Sequence, residues 1–191
     1  MRLSKIAKIQ SGYISRGKIE PREDGTHFLL QARDVDSDRL TYQADSLVCF
    51  RPELSRKDWL LKPGDVLFMA RGARNYSVLI HEIPDRVLAA ACFFIVRVSY
   101  NQVLPHYLNW YLNQAPVDHY LGRHSGRGVH MPVVRRSVLE SIDIPVPSLE
   151  IQKKIVRIDL LMLKEQELIE KLAEKRKKMI TAACLETLRN S

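Results

Sequence analysis

Apolar residues near the C-terminus recur in alternating steps of four and three from Ile151 to Ala183. This spacing places them along one side of a helix, in a stripe suited to packing against a second helix as a coiled coil. Two of the ten positions in the stripe, Glu165 and Arg176, are charged. The eight apolar positions, which are the predicted pairing residues, are Ile151, Ile155, Ile158, Met162, Ile169, Leu172, Met179 and Ala183.

The start of this helix is marked by the Pro-Val-Pro run that ends at Pro147. Proline lacks the N–H that a strand ladder or a helix interior needs, so the run closes the preceding element. Ser148 then offers a hydroxyl as N-cap, Glu150 places negative charge in the first turn, and no Gly or Pro follows. The pattern predicts a globular domain over residues 1–147 and a long helix over residues 148–191.

The length of the predicted helix indicates what its apolar stripe packs against. From residue 149 to residue 188 it would extend about 60 Å, whereas a domain of about 100 residues has a radius of gyration near 13 Å. We therefore expect much of the helix to pair with a second chain. The alternative is an amphipathic helix that folds onto its own domain.

Shorter apolar runs predict the elements of the first domain. A short amphipathic helix capped by Ser4 is expected over residues 3–9, and the aromatic-rich run 106–113 is expected to form a helix packed on a sheet. The most apolar run, 87–98, should place Phe93, Phe94 and Ile95 at the centre of that sheet. Further strands are predicted at residues 26–31, 47–50, 66–70 and 77–80. The predicted fold is α+β, with a mixed or antiparallel sheet, short helices and one long C-terminal helix.

Composition bounds the environment of the protein. No run of 18 apolar residues exists and the first residues are too polar for a signal peptide, so we expect a cytoplasmic protein that does not enter a membrane. Cys49, Cys92 and Cys184 stand singly in apolar surroundings, without the spacing of a disulfide framework or a zinc site. We expect them to be buried and reduced.

The formal net charge of +8 suggests a polyanionic partner, and its distribution is more informative than its size. Residues 119–139 contain four Arg, three His and no Asp or Glu, whereas residues 34–45 contain four Asp. An asymmetry of this kind is expected where one face of a protein meets phosphates and another does not.

A first candidate DNA-contacting loop follows the predicted strand at 66–70. It contains Arg71, Arg74, Asn75 and Tyr76. Arginine can bind guanine through two hydrogen bonds, asparagine can bind adenine in the same way, and tyrosine can stack or hold a phosphate. The alternative is a hairpin turn with two exposed arginines.

A second candidate loop supplies Arg123, His124, Arg127 and His130. Its glycines permit close backbone approach, but its spacing matches neither a Walker loop nor a zinc site. A third candidate is Lys18, which lies in a basic turn and could contact a phosphate or remain solvated. The sequence predicts no metal site and no cofactor.

Catalytic motifs are not found in the sequence. There is no Gly-x-Ser-x-Gly, His-Glu-x-x-His, Walker or dinucleotide-binding pattern. His81, Glu82 and Asp85 lie close together, but such a trio is typical of a protein surface. The sequence therefore favours a binding protein without catalytic residues.

The order of motifs along nearly the whole chain resembles the DNA-specificity (S) subunits of type I restriction-modification systems. The motifs are LSKIAKIQSG, LLKPGDVLFMARG, VLPHYLNWYLN and SGRGVHMPVVRRSVLESIDIPVPSLEIQKKI. The most specific part is the Pro-x-Pro-x-Leu-x-x-Gln sequence that opens the helix, Pro145 to Gln152, preceded by the Ser125-Gly126-x-Gly128 loop. Ile151 and Ser148 depart from the residues common there, Glu and Pro.

The resemblance implies a target-recognition domain followed by a helix, where the usual subunit carries two such units in tandem. This sequence has one unit and no internal repeat, so it resembles a half-length subunit. The implied partners are double-stranded DNA, modification subunits that methylate adenine with S-adenosylmethionine, a restriction subunit and a second copy paired through the helix. Two other functions remain open: a coiled-coil interaction adaptor that never touches DNA, and an enzyme with an unfamiliar site around His81 and Glu82.

Overall fold

The structure is a computed structural model that describes residues 1–15, 17–45, 47–54, 57–124 and 133–189. The chain divides into two compact units, Met1–Lys153 and Lys154–Ser191. Among the described residues the helices are α1 Leu3–Ile6, α2 Pro105–Leu112, α3 Ala115–His124, α4 Arg136–Glu140 and α5 Leu149–Arg189, with 3-10 turns at Ala32–Asp34 and Lys57–Trp59. The strands are β1 Ala7–Ser11, β2 His27–Leu30, β3 Val35–Asp36, β4 Thr41–Tyr42, β5 Val48–Phe50, β6 Asp65–Met69, β7 Ser77–Leu79, β8 Val87–Ala89 and β9 Phe93–Val98.

The first unit is built on three sheets. A four-stranded sheet has the order β1-β9-β6-β7 and is antiparallel throughout. A three-stranded sheet has the order β5-β2-β8, with β2 and β8 parallel, and β3 and β4 form a small hairpin. The predicted α+β class with mixed sheets, short helices and a long C-terminal helix is confirmed.

The apolar run at 87–98 forms two strands rather than one. β8 joins the three-stranded sheet, and β9 lies between β1 and β6 at the centre of the other. Phe93 and Ile95 are fully buried there, as expected, and Phe94 is half-buried. Because both strands contribute to the core, hydrophobic periodicity could not show the turn between them.

The N-terminal helix is shorter in the structure than the sequence predicted. α1 ends at Ile6, and the residues that follow form β1, in which Ala7 and Ile9 are buried while Lys8 is exposed. This alternation has the period of a strand, and pairing with β9 overrides local helix propensity. Ser4 does not cap the helix, because Arg2 occupies the N-cap position.

A buried ion pair fixes one end of the four-stranded sheet. The Asp65 carboxylate accepts two hydrogen bonds of 2.6 Å from Arg97, and only 2% of the Asp65 side chain is exposed. Arg97 also donates to the Leu60 carbonyl at 3.0 Å, which ties the sheet to the segment before β6. Hydrogen bonding to Asp65 raises the pKa of Arg97, so this arginine remains charged.

The first turn of α5 is anchored to the first unit by Gln152, which is fully buried. Its amide nitrogen donates to the carbonyls of Gln102 at 2.7 Å and Pro147 at 2.8 Å, and its amide oxygen accepts from the Leu104 N–H at 2.9 Å. The Ile151 N–H lies 3.5 Å from the Ser148 hydroxyl, a long contact at the predicted N-cap. The helix therefore begins as part of the first unit.

The remainder of α5 is a largely exposed helix. The pairing residues Ile158, Met162, Ile169, Leu172 and Met179 are between 59% and 72% exposed. In the described part of the chain, no helix combines the length and the apolar character that spanning a membrane requires.

All three cysteines are free thiols. Cys49 and Cys92 are half-buried, and burial raises the pKa of the Cys92 thiol, which keeps it protonated. The prediction that Cys184 is buried was wrong, because this residue lies on the exposed part of α5.

Candidate nucleic-acid interface

Two of the predicted DNA-contacting segments leave the four-stranded sheet at the same edge. In the strand register, Ser11 at the end of β1 pairs with Phe94, and Met69 at the end of β6 pairs with Phe93. Both strands are antiparallel to β9, so both end where β9 begins. The loop that contains Lys18 and the loop of residues 71–76 therefore start side by side, at what we name the recognition edge.

The residues that follow the third predicted segment, Val133 and Val134, also contact this edge. The Val134 N–H donates to the Ala70 carbonyl at 2.9 Å, and Arg71 forms an isolated bridge with Val133. These contacts place the residues that follow segment 125–132 directly beside Arg71. Two candidates, Arg127 and His130, lie outside the described residues.

The loop of residues 71–76, which we name the recognition loop, presents two arginines. Arg71 and Arg74 are exposed, and one guanidinium nitrogen of Arg74 lies 3.5 Å from a carboxylate oxygen of Asp38. An exposed pair at this distance contributes little to stability. Both guanidinium groups are therefore available to acceptors on a ligand.

The other two candidates in this loop are occupied within the protein. Tyr76 is only 6% exposed and packs in the main hydrophobic core, where burial raises the pKa of its hydroxyl. The Asn75 side chain donates to the Met69 carbonyl at 2.8 Å. Burial removes Tyr76 from the residues that this structure presents to DNA, and Asn75 acts as a brace across the loop.

Asn113 fixes the end of the recognition loop and was missed by sequence reasoning. Its amide accepts from the Ser77 N–H at 2.8 Å and donates to the Ser77 carbonyl at 2.9 Å, as a neighbouring strand would. It also donates to the Asn109 carbonyl at 2.9 Å. No local pattern marks this role, because Asn113 and Ser77 are far apart in the chain.

The end of α3 carries two further candidates. Arg123 and His124 are both exposed. The His124 ring stacks on Tyr120 with centroids 4.1 Å apart, and its Nδ1 lies 2.7 Å from the Tyr120 carbonyl oxygen. This helix ends at residue 124, so both basic side chains directly precede the segment 125–132.

Lys18 is exposed and lines a cavity of about 320 Å³ together with two arginines, Arg22 and Arg51, and two glutamates, Glu20 and Glu53. The floor of the cavity is formed in part by Tyr13 and Phe50, whose rings are 5.4 Å apart. Lys18 and the recognition loop belong to segments that start at the same edge, as the register of β1 and β6 requires.

The acidic segment 34–45 is not confined to a distant face, because Asp38 approaches Arg74. Asp36 accepts hydrogen bonds from the backbone N–H groups of Asp38 and Arg39, both at 3.0 Å, and these bonds lower the pKa of Asp36. Asp36 therefore shapes a turn beside the recognition loop, and Asp38 lies in that turn. The expected separation of charges between two faces is incomplete at this point.

At the alternative site around His81, the structure gives contacts of the backbone and of the imidazole ring. The backbone N–H groups of His81 and Glu82 donate to the Tyr42 hydroxyl at 3.2 and 3.1 Å, and the His81 ring lies 4.8 Å from that of His106. Among the residues that the structure describes, no three His, Cys, Asp or Glu side chains are grouped as metal ligands.

Comparison with known proteins identifies the family of this chain. A family model described as the type I restriction modification DNA specificity domain matches residues 1–174. The chain belongs to this family. Specificity subunits are non-catalytic, and the enzymatic activities reside on other subunits.

Solved structures share the fold of this specificity domain. A chain from a study of complex assembly and conformational transition of the type I R-M system has a TM-score of 0.64 at 20% identity, over 91% of this chain and 40% of that one. The HsdS subunit from Thermoanaerobacter tengcongensis has a TM-score of 0.56 at 21% identity, over 90% and 38%. The S subunit from M. genitalium has a TM-score of 0.55 at 13% identity, over 93% and 42%.

The chain thus spans about two fifths of the length of these solved chains. No curated protein sequence matches it.

Proposed function

We propose that this protein recognises a specific DNA sequence as a half-length specificity subunit of a type I restriction-modification complex. In this proposal residues 1–147 form the target-recognition domain, and residues 148–191 form a helix that pairs with a second copy. The observation that supports it is the recognition edge, where the segments that carry Lys18 and Arg71 begin and where Val133 lies beside Arg71.

The exposed candidate residues suit two kinds of contact with DNA. Arg71 and Arg74 can each donate two hydrogen bonds to the major-groove face of guanine, which is the commonest base-specific contact. Lys18, Arg123 and His124 are suited to phosphate contacts, which orient a protein on the duplex without reading its sequence. Arg127 and His130 remain predicted DNA-contacting residues.

The proposed complex contains modification subunits that methylate adenine with S-adenosylmethionine, joined by a restriction subunit for cleavage. This chain would supply target selection, and extrusion of the target base would belong to the modification subunit. Two copies related by a twofold axis would contact two inverted half-sites, because symmetric dimers bind symmetric targets.

DNA binding by the full chain tests the proposal. We would select bound duplexes from a random pool at low salt and then measure affinity for the enriched sequence by fluorescence anisotropy. Affinity should fall steeply as salt rises, because each phosphate contact releases counterions. Arg71→Ala should weaken binding to the selected sequence by about tenfold or more.

A matched control is Lys62→Ala. Lys62 is exposed and lies before the start of β6, at the opposite end of the strand from Arg71, and both variants remove one positive charge. If no duplex is enriched and no salt-dependent binding occurs, the adaptor function replaces this proposal. Equal losses in both variants would show a general charge effect and would remove Arg71 from the interface.

A further inference from the structure

Several charges outside the apolar stripe of α5 form ion pairs within the helix. The helix seam consists of the eight predicted pairing residues together with Glu165 and Arg176. Outside the seam, Glu167 lies between Lys164 and Lys171, which lower its pKa to about 2, and Glu174 pairs with Lys178 at 2.6 Å. Within the described residues, neither Glu165 nor Arg176 has an ion-pair partner.

Eight of the ten seam positions form four pairs that are symmetric about a point between Glu170 and Lys171. In a twofold antiparallel pair, residues at equal distances on either side of the axis face each other, so that each contact occurs twice. The seam positions related in this way are Ile169 and Leu172, Glu165 and Arg176, Met162 and Met179, and Ile158 and Ala183. In these four pairs apolar residues meet apolar residues, and the two opposite charges meet each other. Of the remaining seam residues, Ile155 would face Glu186, and the position opposite Ile151 falls beyond the end of α5.

We propose that α5 pairs with a second copy of this chain in that one antiparallel register, held by two symmetry-related Glu165–Arg176 ion pairs. The proposal deepens the dimer of the proposed function and does not depend on DNA binding. Both charges lie in the seam, where they would be partly removed from water on pairing. A charge in such a position needs a partner of opposite sign, and in this register the second copy supplies it.

Other arrangements of the same two helices leave the charges unmatched. A shift by seven residues in one direction places Glu165 against Ile169 and Arg176 against Ile158. The opposite shift places Glu165 against Ala183 and Arg176 against Leu172. A parallel pair would set each charge against the same charge on the second copy, which is repulsive.

Charge exchange in the full chain tests the register. Glu165→Lys and Arg176→Glu each turn two attractive pairs into two repulsive ones, so each variant alone should dimerise about tenfold or more weakly than the unmodified chain. The double variant, and an equal mixture of the two single variants, should both regain the dimer. The measurement is the dimer dissociation constant from sedimentation equilibrium.

Glu174→Lys is the matched control, because it makes the same charge change on the outer side of the same helix, where Glu174 is 65% exposed. It should leave the dissociation constant within about twofold.

Disulfide trapping tests the register independently of charge. In a Cys184→Ser background, Met162→Cys and Met179→Cys chains should cross-link with each other when mixed and oxidised, and neither should cross-link with itself.

A full chain that stays monomeric at tens of micromolar overturns this inference together with the proposed dimer, while DNA recognition by the monomer would remain to be measured. The register is overturned if Glu165→Lys does not weaken the dimer, or if the Met162→Cys chain cross-links with itself. Either result leaves the proposal of a dimer intact. Restoration in the mixture with selective cross-linking between Met162→Cys and Met179→Cys supports the register.

Discussion

At the scale of single residues, Gly12 shows how closely the backbone segments approach at the recognition edge. Its N–H donates to the Phe93 carbonyl at 2.9 Å. A Cβ added there would collide with the Ala90 carbonyl oxygen and lie 2.6 Å from that of Ala89. Both are backbone atoms, which cannot rotate away as a flexible side chain would.

Gly12→Ala should therefore lower the free energy of unfolding by about 2 kcal/mol or more, measured by urea denaturation. Gly122→Ala is the comparison, because no atom lies within 4 Å of a Cβ at that position in α3. It should raise the free energy of unfolding by about 0.5 kcal/mol, since alanine is the better helix former. A Gly12→Ala variant as stable as the wild type would show that the loops separate easily.

Residue chemistry in the sequence identified candidate contacts but not their exposure. Arg71 and Arg74 are exposed as expected, whereas Tyr76 is buried and Asn75 bonds to the backbone. All four have side chains suited to DNA recognition. Which of them face outward depends on packing against strands distant in the chain, which a local pattern does not contain.

At the scale of elements, the long helix and the β6 and β7 strands followed from periodicity, because their patterns are long or bounded by clear turns. Periodicity did not predict strand β1, and it did not show that residues 87–98 divide into β8 and β9. Both depend on pairing between β1 and β9, or between β8 and β2, and such partners are set by the whole fold.

The Gln152 side chain ties the first turn of α5 to the segment before α2. Gln152→Ala would remove three hydrogen bonds and leave the Leu104 N–H without its partner. We expect a loss of about 2–3 kcal/mol in the free energy of unfolding, measured by urea denaturation. The control is Gln166→Ala on the same helix, where the amide makes an exposed bond of 3.4 Å to Glu170, and its effect should stay within about 0.5 kcal/mol. A similar effect of both variants would contradict an anchoring role for Gln152.

At the scale of the whole molecule, two histidines make stability depend on pH. Burial lowers the pKa of His106, with a further contribution from His81, and burial lowers the pKa of His27, with a contribution from Arg86. In the unfolded chain these histidines bind protons near their ordinary pKa of 6.5, whereas in the folded chain they bind protons only at lower pH. The free energy of unfolding should be constant with respect to these groups above that pH and should fall below it.

Urea denaturation at pH 7 and at about pH 5.5 measures this loss. His106→Gln should reduce the difference between the two values, because glutamine does not titrate. His119→Gln, which alters an exposed histidine on α3, serves as the control variant. An unchanged pH dependence in His106→Gln would exclude this histidine as a cause.

The anchoring of Gln152 has a consequence for the exchange of recognition domains between related specificity subunits. A recombination joint at the Pro-Val-Pro run would combine one parent's helix with the other parent's Gln102–Leu104 segment, and so would separate the two halves of one hydrogen-bonded contact. A joint placed after Lys153 keeps them together. Natural or engineered chimaeras that retain target selection should therefore inherit the first turn of the helix with the domain that precedes it.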